Sequence, residues 1–305
     1  MQRQKAENLM RWATRASVSV AATLVVAKAV AWWLSGSVAM LGSMTDSALD
    51  LIASLVTMFA VRTALLPPDD DHRFGHGKAE ALAGLFQAAI MSGSAVFLLL
   101  ESIGRIWEPG LVLRSDLVMA VSGAAIVLSL ALVMFQSYVV RLSGSLAIAG
   151  DHLHYKGDLL LNLSVMISAW LSLQGVAVAD GIFGVLIAGY ILYGAQEIAR
   201  PAIDMLMDKE FSDEERERIF NIVLESPHVL GLHELKTRTS GRDRFIQMHI
   251  EVDGTMTVEA AHFVADEIEA TLGEFFPESD ILIHVDPPSQ KSDDLTVREL
   301  SDVKE

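Results

Sequence analysis

The chain has 305 residues, of which 51% are hydrophobic, and its formal net charge is −16. This composition is too apolar for an ordinary soluble domain and indicates an integral membrane portion. The acidic balance disfavours nucleic acid as a partner, and the absence of cysteine excludes disulfides and thiolate metal sites.

Apolar stretches follow one another through the first two thirds of the chain, each near the roughly 20 residues that span a bilayer. We predict six transmembrane helices, at about 12–34, 38–62, 79–106, 116–141, 146–172 and 178–200. Lysine and arginine concentrate before the first span, in the second loop and after the last span, which predicts that both termini are cytoplasmic. The polar, basic N-terminus does not resemble a cleaved signal peptide.

The sequence pattern changes after residue 208. Residues 1–208 are expected to form the membrane domain, residues 209–290 a cytoplasmic domain and residues 291–305 a polar tail. The second part reads as a helix at 213–224, strands at 232–239 and 245–252, a helix at 258–276 and a strand at 280–285. This αββαβ order predicts a small α+β, ferredoxin-like layer with helices on one face of a three-stranded sheet.

Two pairs of polar residues interrupt the apolar spans. Asp46 and Asp50 are four residues apart, as are His154 and Asp158, so each pair lies on one face of a helix. A charge at membrane depth costs roughly 2.5–3.5 kcal/mol, and a bound divalent cation would compensate for it. Ion pairing of the carboxylates with Lys28 or Lys156 is the alternative.

The two pairs are related by an internal repeat. With an offset of 108 residues, the turn at 35–37 aligns with 143–145, Asp46 with His154 and Asp50 with Asp158. The second span runs inward and the fifth outward, so the halves are expected to be inverted repeats whose polar pairs meet near the midplane. Three carboxylates and one imidazole suit Zn²⁺, with Fe²⁺, Cd²⁺, Co²⁺ or Mn²⁺ as alternatives. Metal binding must release protons, which favours an antiporter.

Two further groups of residues are candidate metal sites. The loop at 66–77 contains Asp69, His72 and His76, although a solvated acidic loop would have the same composition. In the cytoplasmic domain, strand periodicity predicts that His249, His284 and Asp286 converge on the polar side of the sheet. His152 and His228 are given no ligand role.

These motifs together resemble the cation diffusion facilitator family, and most closely its bacterial zinc and ferrous-iron efflux pumps. The resemblance is carried by Asp46-x3-Asp50, by His154-x3-Asp158, by the αββαβ domain and by the stretches at 72–80 and 283–287. It covers nearly the whole chain.

The resemblance implies a homodimer in the bacterial inner membrane that exports divalent metal by alternating access, driven by inward proton flow. It implies a transport site, a loop site and a binuclear cytoplasmic site at the dimer contact, and a salt-bridge pair, Lys78 and Asp208, that holds the dimer together. The implied ligands are Asp46, Asp50, His154 and Asp158; Asp69, His72 and His76; and His233, His249, His262, His284 and Asp286. Zinc would be both cargo and structural metal, with ferrous iron, cadmium and cobalt as further substrates.

Two other classes of function are weighed against a transporter. A membrane metalloprotease would need an H-E-x-x-H motif, which the sequence lacks. A metal sensor would need an output domain, and residues 209–305 show no obvious one. Leu153, beside His154, is a hypothetical part of an apolar gate.

Overall fold

The computed structural model describes residues 2–35, 38–107, 116–172, 174 and 178–288. Gly36 and Ser37 of the predicted first turn and the predicted polar tail lie outside these residues. The chain divides into two compact units, Met1–Ile203 and Asp204–Glu305, whereas the predicted domain boundary stands at 208/209.

The first unit consists of long helices. Their bounds are α1 Gln2–Ser35, α2 Val38–Ala64, α3 Lys78–Trp107, α4 Asp116–Ser143, α5 Leu146–Ser172 and α6 Ala179–Leu206. Within the described residues, five helices are long and apolar enough to cross a membrane. The sixth long helix, α5, has 27 residues but carries Asp151, Lys156 and Asp158 in its first half.

The predicted spans are confirmed as helices, but α1 and α6 extend beyond them. Helix α1 begins at Gln2 rather than near residue 12, and α6 continues to Leu206. Hydropathy detects only the apolar part of a helix, while a polar end continues it through local pairs such as Arg3 and Glu7, which are 3.1 Å apart. Helices α2 and α5 begin and end at the same offset of 108 residues.

Small and apolar side chains pack these helices around α5. One cluster joins α1, α2, α3, α4 and α5 through Met10, Val61, Ala83, Val139, Ala147 and Ile148. A second cluster joins α3 and α6 to Leu153 of α5. Helix α3 approaches α5 closely at Gly150, where an added Cβ would lie 2.8 Å from the Cβ of Gln87.

The second unit is the predicted α+β domain. Its elements are α7 Asp213–Leu224, β1 Gly231–Ser240, β2 Asp243–Glu251, α8 Val258–Phe275 and β3 Ser279–Asp286. The sheet order is β1-β2-β3, with β1 antiparallel and β3 parallel to β2. Helices α7 and α8 bury one face of the sheet, with a core that includes Ile219, Val223, Ile246, Met248, Ile250, Ile268 and Leu272. The predicted αββαβ order is therefore confirmed, and the opposite face of the sheet remains available to polar residues.

Candidate metal centres

Helices α2 and α5 bring three of the predicted transport ligands together. His154 Nε2 lies 2.8 Å from Asp50 Oδ1 and 3.5 Å from Asp158 Oδ2. Asp50 is 12 residues after the start of α2 and His154 is 8 after the start of α5, which corresponds to depths of about 18 and 12 Å at the helical rise. Ligand atoms of these residues all lie within 4.8 Å of one another, so one ion can contact them all.

The fourth predicted ligand, Asp46, lies outside this group. It is one helical turn before Asp50 on α2, and its side chain is exposed. The neighbouring cation, Lys28, donates from Nζ to Ser47 Oγ at 2.7 Å and to the Ser43 carbonyl at 3.2 Å. Lys28 is thus held against α2 beside Asp46. The Nζ atom of Lys156 lies 5.1 Å from the centroid of the Tyr190 ring.

The other ring nitrogen of His154 contacts helix α3. His154 Nδ1 lies 3.1 Å from the thioether sulfur of Met91, and Met91 is only 3% exposed. Asn162, one turn after Asp158, donates to the Asp158 backbone carbonyl at 2.8 Å. The imidazole therefore has one nitrogen facing carboxylates and the other facing sulfur.

A buried polar network lies one turn before His154. The Asp151 carboxylate accepts from Gln136 Nε2 at 2.7 Å and from Ser54 Oγ at 3.2 Å. Tyr155 donates to the Ser17 carbonyl at 3.2 Å and lies 3.1 Å from Ser54 Oγ. This network connects α1, α2, α4 and α5 and fixes the turn that carries the ligands.

The loop between α2 and α3 brings its three predicted ligands together. Asp69 Oδ1 is 3.3 Å from His72 Nδ1, and Asp69 Oδ2 is 3.2 Å from His76 Nε2. The backbone N–H of His72 donates to the carboxylate, and this bond lowers the pKa of Asp69, so the side chain is ionised at neutral pH. Asp70 is instead paired with Arg73 at 3.0 Å.

Three histidines form a row across the polar face of the three-stranded sheet. His249 is opposite His233 on β1 and opposite His284 on β3, and the ring centroids are 5.2 and 4.6 Å apart. Because strand pairing fixes this register, one side chain from each strand reaches the same place.

Asp286 at the end of β3 completes this row. Its carboxylate lies 2.9 Å from His249 Nδ1, 3.2 Å from His284 Nε2 and 3.6 Å from His233 Nε2. Burial alone would raise the pKa of Asp286, but the hydrogen bond from His249 and the neighbouring imidazoles outweigh burial and lower it. The carboxylate is therefore ionised where metal ligands are required.

The donor sets of both sites outside the spans fit zinc. Imidazole and carboxylate are its usual ligands in a protein without cysteine. Ligand atoms of Asp69, His72 and His76 lie within 4.8 Å of one another, and the same holds for His233, His249 and Asp286. His76 Nδ1 is moreover buried without a hydrogen-bond partner among the described residues.

Two predicted roles, that of His262 and that of the Lys78–Asp208 pair, depend on contacts beyond a single unit. His262 lies on α8 with a side chain 75% exposed, 3.6 Å from Asp266. Lys78 begins α3 in the first unit, whereas Asp208 belongs to the second unit and lies 3.4 Å from Arg238. Their predicted roles concern the dimer and remain predictions.

Sequence reasoning missed Asp151, Met91 and Glu251. Asp151 had a usable signal, because any carboxylate in a predicted span is a functional or structural candidate. Met91 had none, since methionine in an apolar helix is ordinary core. Glu251 lies 3.9 Å from His233 Nε2. Strand periodicity places it on the same face of β2 as His249, and this pattern could have identified it.

Comparison with known proteins gives matches along nearly the whole chain. Residues 14–207 match the cation efflux transmembrane domain, and residues 211–288 match the cytoplasmic domain of cation efflux proteins. The cation-efflux pump FieF of Shewanella oneidensis is 44% identical over 278 residues, which is 91% of this chain and 94% of that protein. FieF of Pectobacterium carotovorum is 42% identical over 281 residues, covering 92% and 94%. The structure of CzrB in its Zn form is 37% identical and covers 28% of this chain and 98% of its own, with a TM-score of 0.27.

Proposed function

The chain belongs to the cation efflux (cation diffusion facilitator) family, and from that premise we propose that it exports zinc in exchange for protons. As a family member it is a multi-pass membrane transporter and not an enzyme. We place it in the bacterial cytoplasmic membrane with both termini inside. Ferrous iron, cadmium and cobalt are further proposed substrates.

The convergence of Asp50, His154 and Asp158 supports the proposal most directly. Two carboxylates and one imidazole lie together well inside two long helices, α2 and α5, and buried ionisable groups at such depth mark ion pathways. Asp46, one turn before Asp50, supplies the fourth ligand in our proposal. Its exposed carboxylate gives a metal ion a first contact before the ion reaches the other three.

Exchange with protons follows from the same ligands. Carboxylate and imidazole bind metal only when deprotonated, so metal entry must release protons and proton entry must release metal. His154 Nε2 lies at hydrogen-bond distance, 2.8 Å, from Asp50 Oδ1, where a proton bridges the two groups in the absence of metal. One position thus serves both ions alternately.

The cytoplasmic sites serve regulation and assembly in this proposal. Residues 209–290 form the metal-binding domain, and zinc on the histidine row stabilises a homodimer when cytosolic metal is high, because ligand binding favours the state that holds it. His262 joins the row at the dimer contact, which accounts for its exposure in the single chain. Lys78 and Asp208 are proposed to form a salt bridge beneath the membrane.

Flux into proteoliposomes containing the full-length protein tests the transport proposal. With a zinc-sensitive dye inside the vesicles, we expect zinc uptake that accelerates when an outward proton gradient is imposed. Asp50→Ala should reduce uptake at least about tenfold, because it removes a ligand. Zinc flux that is indifferent to the proton gradient would contradict antiport, and full transport by Asp50→Ala would contradict the site.

A further inference from the structure

Met91 contacts the ring nitrogen of His154 that faces away from the carboxylates. The distance from Sδ to Nδ1 is 3.1 Å, while Nε2 faces Asp50 at 2.8 Å. In metal sites, a ligating histidine almost always donates its second ring N–H to an acceptor, which fixes the tautomer and the ring orientation. Here the atom at that position is a thioether, a weak acceptor.

Packing holds the Met91 side chain in this position. The residue is 3% exposed and belongs to a cluster that includes Ala88, Leu153 and Ile191. Gly157, one turn after Leu153 on α5, leaves room for it: a Cβ at Gly157 would lie 3.6 Å from the Met91 methyl and 3.1 Å from Ile191 Cδ1. The sulfur is thus directed at the imidazole by neighbours on three helices.

We propose that Met91 is a positioning residue of the transport site, whose sulfur accepts the Nδ1–H of His154 and keeps Nε2 directed at the metal. This inference rests on the proposed function, since His154 must be a ligand. A thioether polarises the imidazole less than a carboxylate would, so the ring is a weaker ligand and releases its ion more readily. That property suits a site through which metal must pass.

Two variants of similar length distinguish an acceptor from a packing residue. Met91→Leu keeps an apolar side chain but removes the acceptor, whereas Met91→Gln supplies a carbonyl oxygen, a stronger acceptor. We expect the zinc KM to rise about three- to tenfold in Met91→Leu. Loss of the hydrogen-bond partner of a ligating histidine usually lowers metal affinity about 10- to 100-fold. The effect should be at or below the lower end of that range because sulfur is a weak acceptor. Met91→Gln should have a KM at or below that of the wild type, and Vmax should change less than about twofold in Met91→Leu.

The opposite order of KM values would overturn the proposal. If packing alone matters, Met91→Leu behaves as wild type and Met91→Gln, with a polar group in an apolar cluster, is the defective variant. A fall in Vmax with an unchanged KM in both variants also overturns it, since that is general damage to the helices. Size-exclusion elution and melting temperature check the fold, and should Met91→Gln fail them, an unchanged KM in Met91→Leu is still decisive.

A binding measurement separates this proposal from the proposed function. If wild-type vesicles move no zinc, or Asp50→Ala moves it normally, the transport assignment fails whatever Met91 does. Equilibrium zinc binding to the purified full-length chain, in a His249→Ala background that weakens the cytoplasmic site, then decides on Met91. The role of Met91 is supported if Met91→Gln binds zinc at least as tightly as the wild type and the wild type binds it more tightly than Met91→Leu. Equal zinc affinities refute it.

Discussion

At the scale of the residue, His154 is the position at which the two polar pairs of the repeat differ. The repeat aligns it with Asp46, so the site has an imidazole where exact symmetry would place a carboxylate. The imidazole nitrogen is a ligand of intermediate softness and favours zinc and cadmium, whereas sites made only of oxygen ligands favour harder ions such as manganese. Metal selectivity should therefore respond to this side chain more than to any other ligand.

Replacing His154 by aspartate should change which metals are carried. We expect His154→Asp to lower the ratio of zinc to manganese transport by at least about tenfold, because the site becomes entirely carboxylate. Vesicle uptake of each metal measures the ratio. His152→Asn is the matched control, since His152 contacts Ser137 at 2.8 Å and has no proposed ligand role; an equal change in both variants would argue against His154.

Glu215 provides a prediction of pH dependence. Burial raises its pKa, but the hydrogen bond and charge of Arg244 and the bonds from Ser212 outweigh burial and lower it. A lowered folded-state pKa stabilises the fold above the unfolded-state pKa, and the contribution is lost as pH falls through the folded-state value. This ion pair should therefore matter at neutral pH and not in acid.

Hydrogen exchange across α7 and β2 measures this effect. We expect Glu215→Gln to exchange roughly two- to fivefold faster than wild type at neutral pH, as for a partly exposed pair. The difference should disappear in acid, where Glu215 of the wild type is protonated and, like glutamine, carries no charge. Glu214→Gln, one residue earlier in the same first turn, is the control; a pH-independent difference would exclude the ion pair as the cause.

At the scale of the element, close approach of helices decides how the ligands meet. Gly150 is on the face of α5 that packs against α3, and Gln87 of α3 also donates to Thr57 of α2 at 3.0 Å. This contact joins the three helices near the ligand-bearing turn. A side chain at 150 must push α3 away from α5.

Gly150→Ala should therefore destabilise the membrane unit. Its Cβ would lie 2.8 Å from Gln87 Cβ, and overpacking of this kind costs about 1–3 kcal/mol. Gly189→Ala, which has no heavy atom within 4 Å of its added Cβ, is the matched helical control and should be neutral or slightly stabilising. Thermal unfolding in detergent compares them, and equal melting temperatures would show that the helices adjust freely.

The Asp151 network gives a second prediction for the helix bundle. Asp151→Ala leaves one N–H of Gln136 without its buried acceptor, at about 1–3 kcal/mol for an unsatisfied group, whereas Ser54 Oγ can still donate to the Tyr155 hydroxyl, 3.1 Å away. Asp151→Asn retains one acceptor oxygen and should lose less than half as much. Melting temperature in detergent is the measurement. Equal stability of the alanine variant and the wild type would mean that water or another acceptor replaces the carboxylate.

At the scale of the whole molecule, candidate metal ligands are found in both units. The transport cluster lies in the helical unit and the histidine row lies in the cytoplasmic unit. Loss of one should therefore leave the other intact. This separation allows the cytoplasmic site to be tested without disturbing the transport ligands.

His249→Ala should lower the zinc content of the full-length protein while leaving the transport ligands in place. Saturating zinc at 100 times Kd stabilises a site by about 2.7 kcal/mol, so zinc should slow exchange across β1–β3 in the wild type and not in this variant. His228→Ala, a cytoplasmic histidine with no proposed ligand role, is the control. Undiminished zinc content in His249→Ala would contradict the row as a metal site.

The order of elements followed from the sequence because it depends on local periodicity. The α7 bounds were predicted to the residue, since Ser212 and Glu215 form a capping box that defines its start. The ends of α1 and α6 were missed because polar residues continue these helices beyond the apolar stretch that hydropathy detects.

The sequence by itself determined the polar pairs, the repeat and the zinc-type donor set, because these depend on residue type and spacing. Only the tertiary structure decided which of these residues meet. It placed Asp50, His154 and Asp158 within reach of one ion and left Asp46 outside, and it set Met91 against His154. Contacts between helices depend on which side chains allow close approach, as Gly150 and Gly157 do, and spacing along one helix carries no information about its neighbour.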